Sequence, residues 1–228
     1  MSKLISVVGS PYSGKTVIAT KLAQEIYHDH SCSIVLLSSG MTIPSLGVIC
    51  HHEKSLFSLA ALMDRTDIYR EDVLRHMVTF KNQKNFGILG YKPGDIATAY
   101  PTPTADKITA LLRCCREIAD YVIVDGNEDL ISAISSDNAD DILHCISPDP
   151  LSVAYYSGHP ITNGKKILNI TQNDIYLPID DVKNKFKPDF LLPYSHDLRQ
   201  QWITGTLTAM LSDSRYRKSM LAIAKAVI

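Results

Sequence analysis

With 228 residues, the chain can form one large α/β domain with a substantial core. Its 45% apolar and 21% charged residues exclude a disordered or fibrous protein. A formal net charge of −1 excludes a global field drawing it to nucleic acid or an anionic membrane. Five cysteines (Cys32, Cys50, Cys114, Cys115, Cys145), with no C-x-x-C pair, read as free buried thiols in a reducing compartment.

No apolar run approaches the ~20 residues that span a bilayer, and the start Met1-Ser2-Lys3 lacks a signal-peptide layout, so a cytoplasmic protein is expected. Leu4 to Val8 is a short apolar run ending in glycine, the pattern of a buried parallel strand. After a loop from Gly9 to Thr16, Val17, Ile18, Leu22 and Ile26 recur with helical spacing, which predicts a helix to about His28. A second buried strand over 33–37 completes a βαβ unit. Helices are predicted over 55–63 and 70–80, then a short strand over 86–89 and a glycine- and proline-rich loop over 90–103. Thr104 can cap a helix running to about Ala119.

The run 121–124 is the clearest buried strand, and it ends on Asp125. Further strands are predicted over 142–146, 166–170 and 190–192, and helices over 198–211 and 216–227 close the chain. Alternating strands and helices, with no repeat or linker-like break, predict a single domain over 1–228. It would have three layers, a mostly parallel central sheet with helices on both faces.

The loop Gly9-Ser10-Pro11-Tyr12-Ser13-Gly14-Lys15-Thr16 fits G-x-x-x-x-G-K-[ST]. A triphosphate needs inward-pointing backbone N–H groups, a positive charge and a metal. Here the loop amides supply the first, Lys15 the second, and the Thr16 hydroxyl a Mg2+ ligand. The loop also opens a helix, whose N-terminal dipole favours anions, and Val17 continues the binding segment. Asp125, at the carboxyl end of an apolar strand, is placed to hold the Mg2+ shell directly or through water. Lys15 and Asp125 are thus the candidate catalytic residues, Thr16 and Asp125 the candidate metal ligands, and ATP with Mg2+ the expected cofactors. Glu128 and Asp129, just beyond, read as helix-start charges.

Segment order extends this: Asn138-Ala139-Asp140, the strand over 142–146, Ser147-Pro148-Asp149-Pro150 opening a helix, the strand over 166–169, then Leu191-Leu192-Pro193-Tyr194-Ser195-His196-Asp197-Leu198 before a helix. This order resembles the MinD/ParA superfamily of P-loop ATPases over nearly the whole chain, and within it most resembles the CpaE/TadZ proteins that help localise pilus assembly machinery. The resemblance implies that Asn169 reads the adenine edge and that the segment at Pro193 flanks the base. Two departures stand out. The family's second lysine, just after the first glycine, is Ser10 here, and its aspartate at the end of the second strand is absent from Ser38-Ser39-Gly40. Pro11-Tyr12 also replaces a flexible diglycine.

Losing a cation and a water-orienting acid weakens phosphoryl transfer more than ground-state binding, so slow or absent hydrolysis is expected. The resemblance implies a nucleotide-dependent positioning or scaffold factor that dimerises through its nucleotide face, with a pilus, secretion or polar-membrane partner. A small-molecule or nucleoside kinase remains the alternative, for which Arg65 to Arg75 is a loose lid candidate. A DNA-partitioning ATPase is third, with Arg215-Tyr216-Arg217-Lys218 as its basic stretch, a stretch that reads better as a solvated helix start. The closing helix is expected to pack on the sheet rather than touch a membrane. His51-His52 reads as a polar loop, Tyr155-Tyr156 near His159 as helix-face packing, and Lys165-Lys166 as a solvated strand start.

Overall fold

The computed structural model describes residues 2–30, 32–50, 58–95, 99–173 and 177–228. His51-His52 and the first part of the helix predicted over 55–63 lie outside the described residues.

The chain runs β1 (Lys3–Gly9), α1 (Lys15–His30), β2 (Ile34–Ser38), α2 (Leu46–Ile49), α3 (Leu59–Met63), α4 (Arg70–His76), β3 (Val78–Phe80) and β4 (Gln83–Gly90). It continues α5 (Ala105–Ile118), β5 (Tyr121–Asp125), α6 (Leu130–Asp137), β6 (Asp141–Ile146), α7 (Pro150–Gly158) and β7 (Lys165–Asn169). It closes with α8 (Ile179–Phe186), β8 (Phe190–Leu192), α9 (His196–Thr204) and α10 (Ser214–Val227). The strands form one sheet in the order β3-β4-β2-β5-β1-β6-β7-β8. Every pairing is parallel except the β3–β4 edge.

The central strands are apolar on both faces because helices cover both. Ile5, Val7, Leu36, Ile123 and Leu143 pack with Ile18, Leu22 and Ile26 of α1 and Met220, Ile223 and Val227 of α10. Leu4, Val35, Leu37, Val122 and Val124 face the other way, with Leu59, Val73, Ile108 and Leu111 of α3, α4 and α5. The closing helix therefore packs on the α1 side of the sheet, as expected. Thr104 caps α5 by accepting from Lys107 N at 3.4 Å, again as expected.

Three predicted helices are shorter than the periodicity suggested. That predicted over 55–63 is helical from Leu59, with Ser58 extended as its cap. The stretch 70–80 splits, with α4 ending at His76. Val78-Thr79-Phe80, β-branched and aromatic, then pairs antiparallel with β4. The helix predicted over 198–211 ends at Gly205, whose φ of 65° lets its N–H reach the carbonyls of Gln201 and Trp202. Among the described residues no helix is long and apolar enough to cross a membrane.

Candidate nucleotide site

The carboxyl ends of β1 and β5 lie side by side, with Val7 in register with Asp125. Two chain segments meet there, the loop leading into α1 and the acid that closes β5. This is the edge at which parallel sheets hold ligands.

The loop keeps its shape through backbone conformations that few residues accept. Gly9 lies against β6, where a Cβ would run into the Cys145 carbonyl, and Gly14 has a φ of 85°, beside the Asn169 amide. Tyr12 also takes a positive φ, 61°, with its side chain 78% exposed. The Ser13 hydroxyl donates to Ser10 O at 2.8 Å, closing the loop from within.

Lys15 folds over this loop and donates to Gly9 O at 3.0 Å and Ser10 O at 2.8 Å. Burial lowers its pKa, against the opposing pull of Cys145, Asp125 and Glu128. The Thr16 hydroxyl donates to Asp125 Oδ2 at 2.8 Å. The Ser38 hydroxyl reaches the same oxygen at 3.1 Å and that of Ser45 at 3.5 Å. Asp125 is 1% exposed, and its Oδ1 is buried without a hydrogen-bond partner among the described residues. Burial pushes its pKa up to about 6, with the hydrogen bonds from Thr16 and Ser38 and the charge of Lys15 pulling the other way.

A carboxylate oxygen buried without a donor, beside a threonine hydroxyl and a lysine, is costly unless something else completes it. These oxygens suit a hard divalent cation held jointly with phosphate oxygens, so Thr16 and Asp125 fit Mg2+. Among the described residues no cluster of three His, Cys, Asp or Glu could hold a metal ion.

The remaining candidates divide. Ser10 is fully buried, and its hydroxyl shares a 2.7 Å hydrogen bond with that of Ser152 in α7. Ser152 Oγ also accepts from Ser147 N at 3.0 Å, and its own N–H donates to the α7 cap Asp149 at 2.8 Å. Position 10 is therefore turned inward as a brace between the loop and α7. Asn169, 4% exposed at the end of β7, donates its amide to Ser13 O at 2.9 Å. An adenine edge would have to take that donor from the loop. Pro11 is exposed, and Val17 and Pro193 are half-buried, Pro193 just beyond β8. A groove of about 480 Å³ opens beside the loop, lined by Gly9, Asn127, Glu128, Asp129, Tyr155 and His159 among others, but by neither Asn169 nor Pro193.

Several features lay outside what the residue pattern suggested. Ser38 and Ser45 converge on Asp125, in a segment whose residue pattern marks only a missing acid. Asp129 caps α6 by accepting from Ser132 N at 2.8 Å and also accepts from the Ser39 hydroxyl at 2.8 Å, tying the ends of β2 and β5 together. Burial raises its pKa against those bonds. Arg217 is committed to Glu25, its Nε 3.1 and 3.2 Å from the two carboxylate oxygens, and Tyr216 beside it is buried. Arg65 pairs with Asp72 at 3.2 Å. As expected of helix-face packing, Tyr156 is buried and donates to Cys145 O at 2.9 Å, while Tyr155 stacks on His159. Lys165 pairs with Asp141, and Lys166 donates to Phe186 O at 3.0 Å.

No protein-family model matches the sequence, and no curated protein matches it. Solved structures do. A ParA family ATPase from Chlorobium tepidum TLS superposes with a TM-score of 0.78 at 13% identity, over 98% of each chain. The fold is that of the ParA and MinD ATPases. The septum site-determining protein MinD from Pyrococcus horikoshii OT3, complexed with Mg-ADP, gives a TM-score of 0.74 at 15% identity, over 100% of this chain and 96% of that one. A Cyanothece McdA variant in complex with ATP gives 0.69 at 17%, over 100% and 97%.

Proposed function

We propose that the chain binds ATP with Mg2+ at the loop 9–16 and acts as a nucleotide-dependent positioning or scaffold factor with slow intrinsic hydrolysis. The observation that carries this is the buried Asp125 carboxylate, facing Thr16 and Lys15 with one oxygen unpartnered. Lys15 exchanges the carbonyls of Gly9 and Ser10 for phosphate oxygens, a charge-assisted and stronger bond. Loop N–H groups and the start of α1 take the remaining phosphate charge. Thr16 and Asp125 hold Mg2+, which when bound neutralises charge on the phosphates.

Slow turnover follows from two positions. Ser10 is spent on Ser152 and carries no cation to offer across a dimer. The run Ser38-Ser39-Gly40 at the end of β2 supplies no carboxylate to orient water, and the Ser39 hydroxyl is given to Asp129. The MinD and ParA proteins of like fold support the positioning class, and segment order favours the CpaE/TadZ branch with a pilus, secretion or polar-membrane partner and a nucleotide-dependent homodimer. A kinase loses support because Arg65 is occupied by Asp72, and DNA partitioning because Arg217 is occupied by Glu25.

The test pairs two measurements on the full chain, mass by light scattering with and without ATP–Mg2+, and steady-state phosphate release. A scaffold factor doubles in mass on adding ATP–Mg2+ and releases phosphate slowly. A robust steady-state ATPase without a partner contradicts the slow-turnover claim, and phosphoryl transfer to a nucleoside or other small acceptor makes the protein a kinase.

A further inference from the structure

Three hydroxyls surround Asp125, and the phosphate-loop pattern accounts for one. Ser38 ends β2, in register with Asp125 on the neighbouring strand, and its Oγ lies 3.1 Å from Asp125 Oδ2. Ser45 comes from the start of α2, and its Oγ is 3.5 Å from the same oxygen and in close hydrogen-bond contact with Ser38 Oγ. Both side chains are buried.

Ser45 is the telling case. It occupies the N-cap of α2, where a serine hydroxyl ordinarily accepts from the helix's first free N–H groups. Here it makes no capping bond and turns toward Ser38 and Asp125. A hydroxyl withdrawn from its usual partner and buried against a carboxylate serves the carboxylate. Thr16 and Ser38 donate to Oδ2, and Ser45, at 3.5 Å from that oxygen, spends its proton on Ser38 Oγ and holds that hydroxyl in place. None of the three reaches Oδ1, which is buried without a partner among the described residues. The carboxylate is thus held by one oxygen with the other left over.

We propose that Ser38 and Ser45 are positioning residues for the divalent cation that accompanies the nucleotide. They fix the Asp125 carboxylate through Oδ2, so that Oδ1 is presented to the cation or to a water in its shell. Groups that orient a ligating carboxylate govern metal affinity even when they do not touch the metal. The inference rests on the nucleotide-binding function above and adds a role for the chain between β2 and α2.

The test uses Mn2+ in place of Mg2+, read by electron paramagnetic resonance on the full chain saturated with ADP. ADP affinity is measured separately in excess EDTA. Ser38→Ala and Ser45→Ala are each expected to weaken Mn2+ binding by about 10-fold, at the lower end of the effect of losing an orienting partner. Metal-free ADP binding stays at the wild-type level. Ser45→Thr, which keeps a hydroxyl, recovers most of the loss, and Ser157→Ala, an exposed hydroxyl on α7, changes nothing. Wild-type Mn2+ affinity in both alanine variants overturns the proposal. So does a parallel loss of metal-free ADP binding, which makes the hydroxyls general supports of the loop. If the wild type binds no ADP with or without Mn2+, the nucleotide function itself fails and this inference with it.

Discussion

Helix α1 carries two lysines that the fold treats in opposite ways. Lys15, at its first turn, is half-buried and donates to two loop carbonyls, Gly9 O and Ser10 O. Lys21, further along, is 2% exposed. Its Nζ lies 2.9 Å from Gln24 Oε1, 2.7 Å from Gln201 Oε1, 2.6 Å from Leu207 O and 2.8 Å from Ala209 O. Burial depresses both pKa values, that of Lys21 to about 8, against the weaker opposing charges of Asp197 and Glu25. The difference lies in whether the acceptors can be exchanged. Those of Lys15 belong to the loop 9–16 itself, where a bound phosphate can take their place beside the ammonium, and those of Lys21 are enclosed between α1, α9 and the chain after α9. One lysine is poised for a ligand, and the other fastens the structure that positions it.

This contrast can be broken by substitution. Lys21→Met leaves buried amide and carbonyl oxygens without a donor and is expected to cost about 3 kcal/mol or more in denaturant unfolding. The folded fraction keeps its nucleotide affinity. If Lys21→Met is as stable as wild type, the fastening role is wrong.

A comparable effect should appear with pH. Lys21 titrates near pH 8 when folded and near 10.5 when unfolded, so between those values the unfolded chain holds the extra proton. Stability then rises with pH, and the advantage of wild type over Lys21→Met widens by about 3 kcal/mol across that window. Chemical denaturation at pH 7.5, 9 and 10.5 checks it, and a constant gap would refute the depressed titration.

Smaller effects sharpen the loop side. Ser152→Ala strips the buried Ser147 N–H of its acceptor and Ser10 of its partner, and should cost about 1–2 kcal/mol of stability. Tyr12→Gly relieves a left-handed residue but loosens the unfolded chain, two terms of about 1 kcal/mol that oppose each other. Its net effect on thermal unfolding should be under about 0.5 kcal/mol. A larger gain would show that Tyr12 strains the loop.

How far the sequence foretold these features depends on the range of the contacts. The βαβ unit with its loop and the strand ending on Asp125 were legible, because strands covered on both faces are continuous apolar runs and the loop is a local pattern. β3 was hidden because three residues at a sheet edge carry little periodicity, and the end of α9 because apolar residues continue past Gly205 while the chain turns. Ser10 looked like a missing cation, and only the approach of α7 shows it as a brace. Lys21 and Gln201, 180 residues apart, share no local signal. Nor do Ser45 and Asp125, 80 apart, since a serine ahead of a short helix ordinarily signals a cap.

The most direct test of the account is calorimetric titration of the full chain and of Lys15→Ala with ATP–Mg2+. Wild type should bind saturably and the variant about 100-fold more weakly, the scale of a charged hydrogen bond to phosphate. The variant should stay folded, with a loss of about 1–3 kcal/mol at most, because the buried Gly9 and Ser10 carbonyls lose their donor. No binding by wild type at millimolar ATP, or equal binding by both proteins, would contradict it.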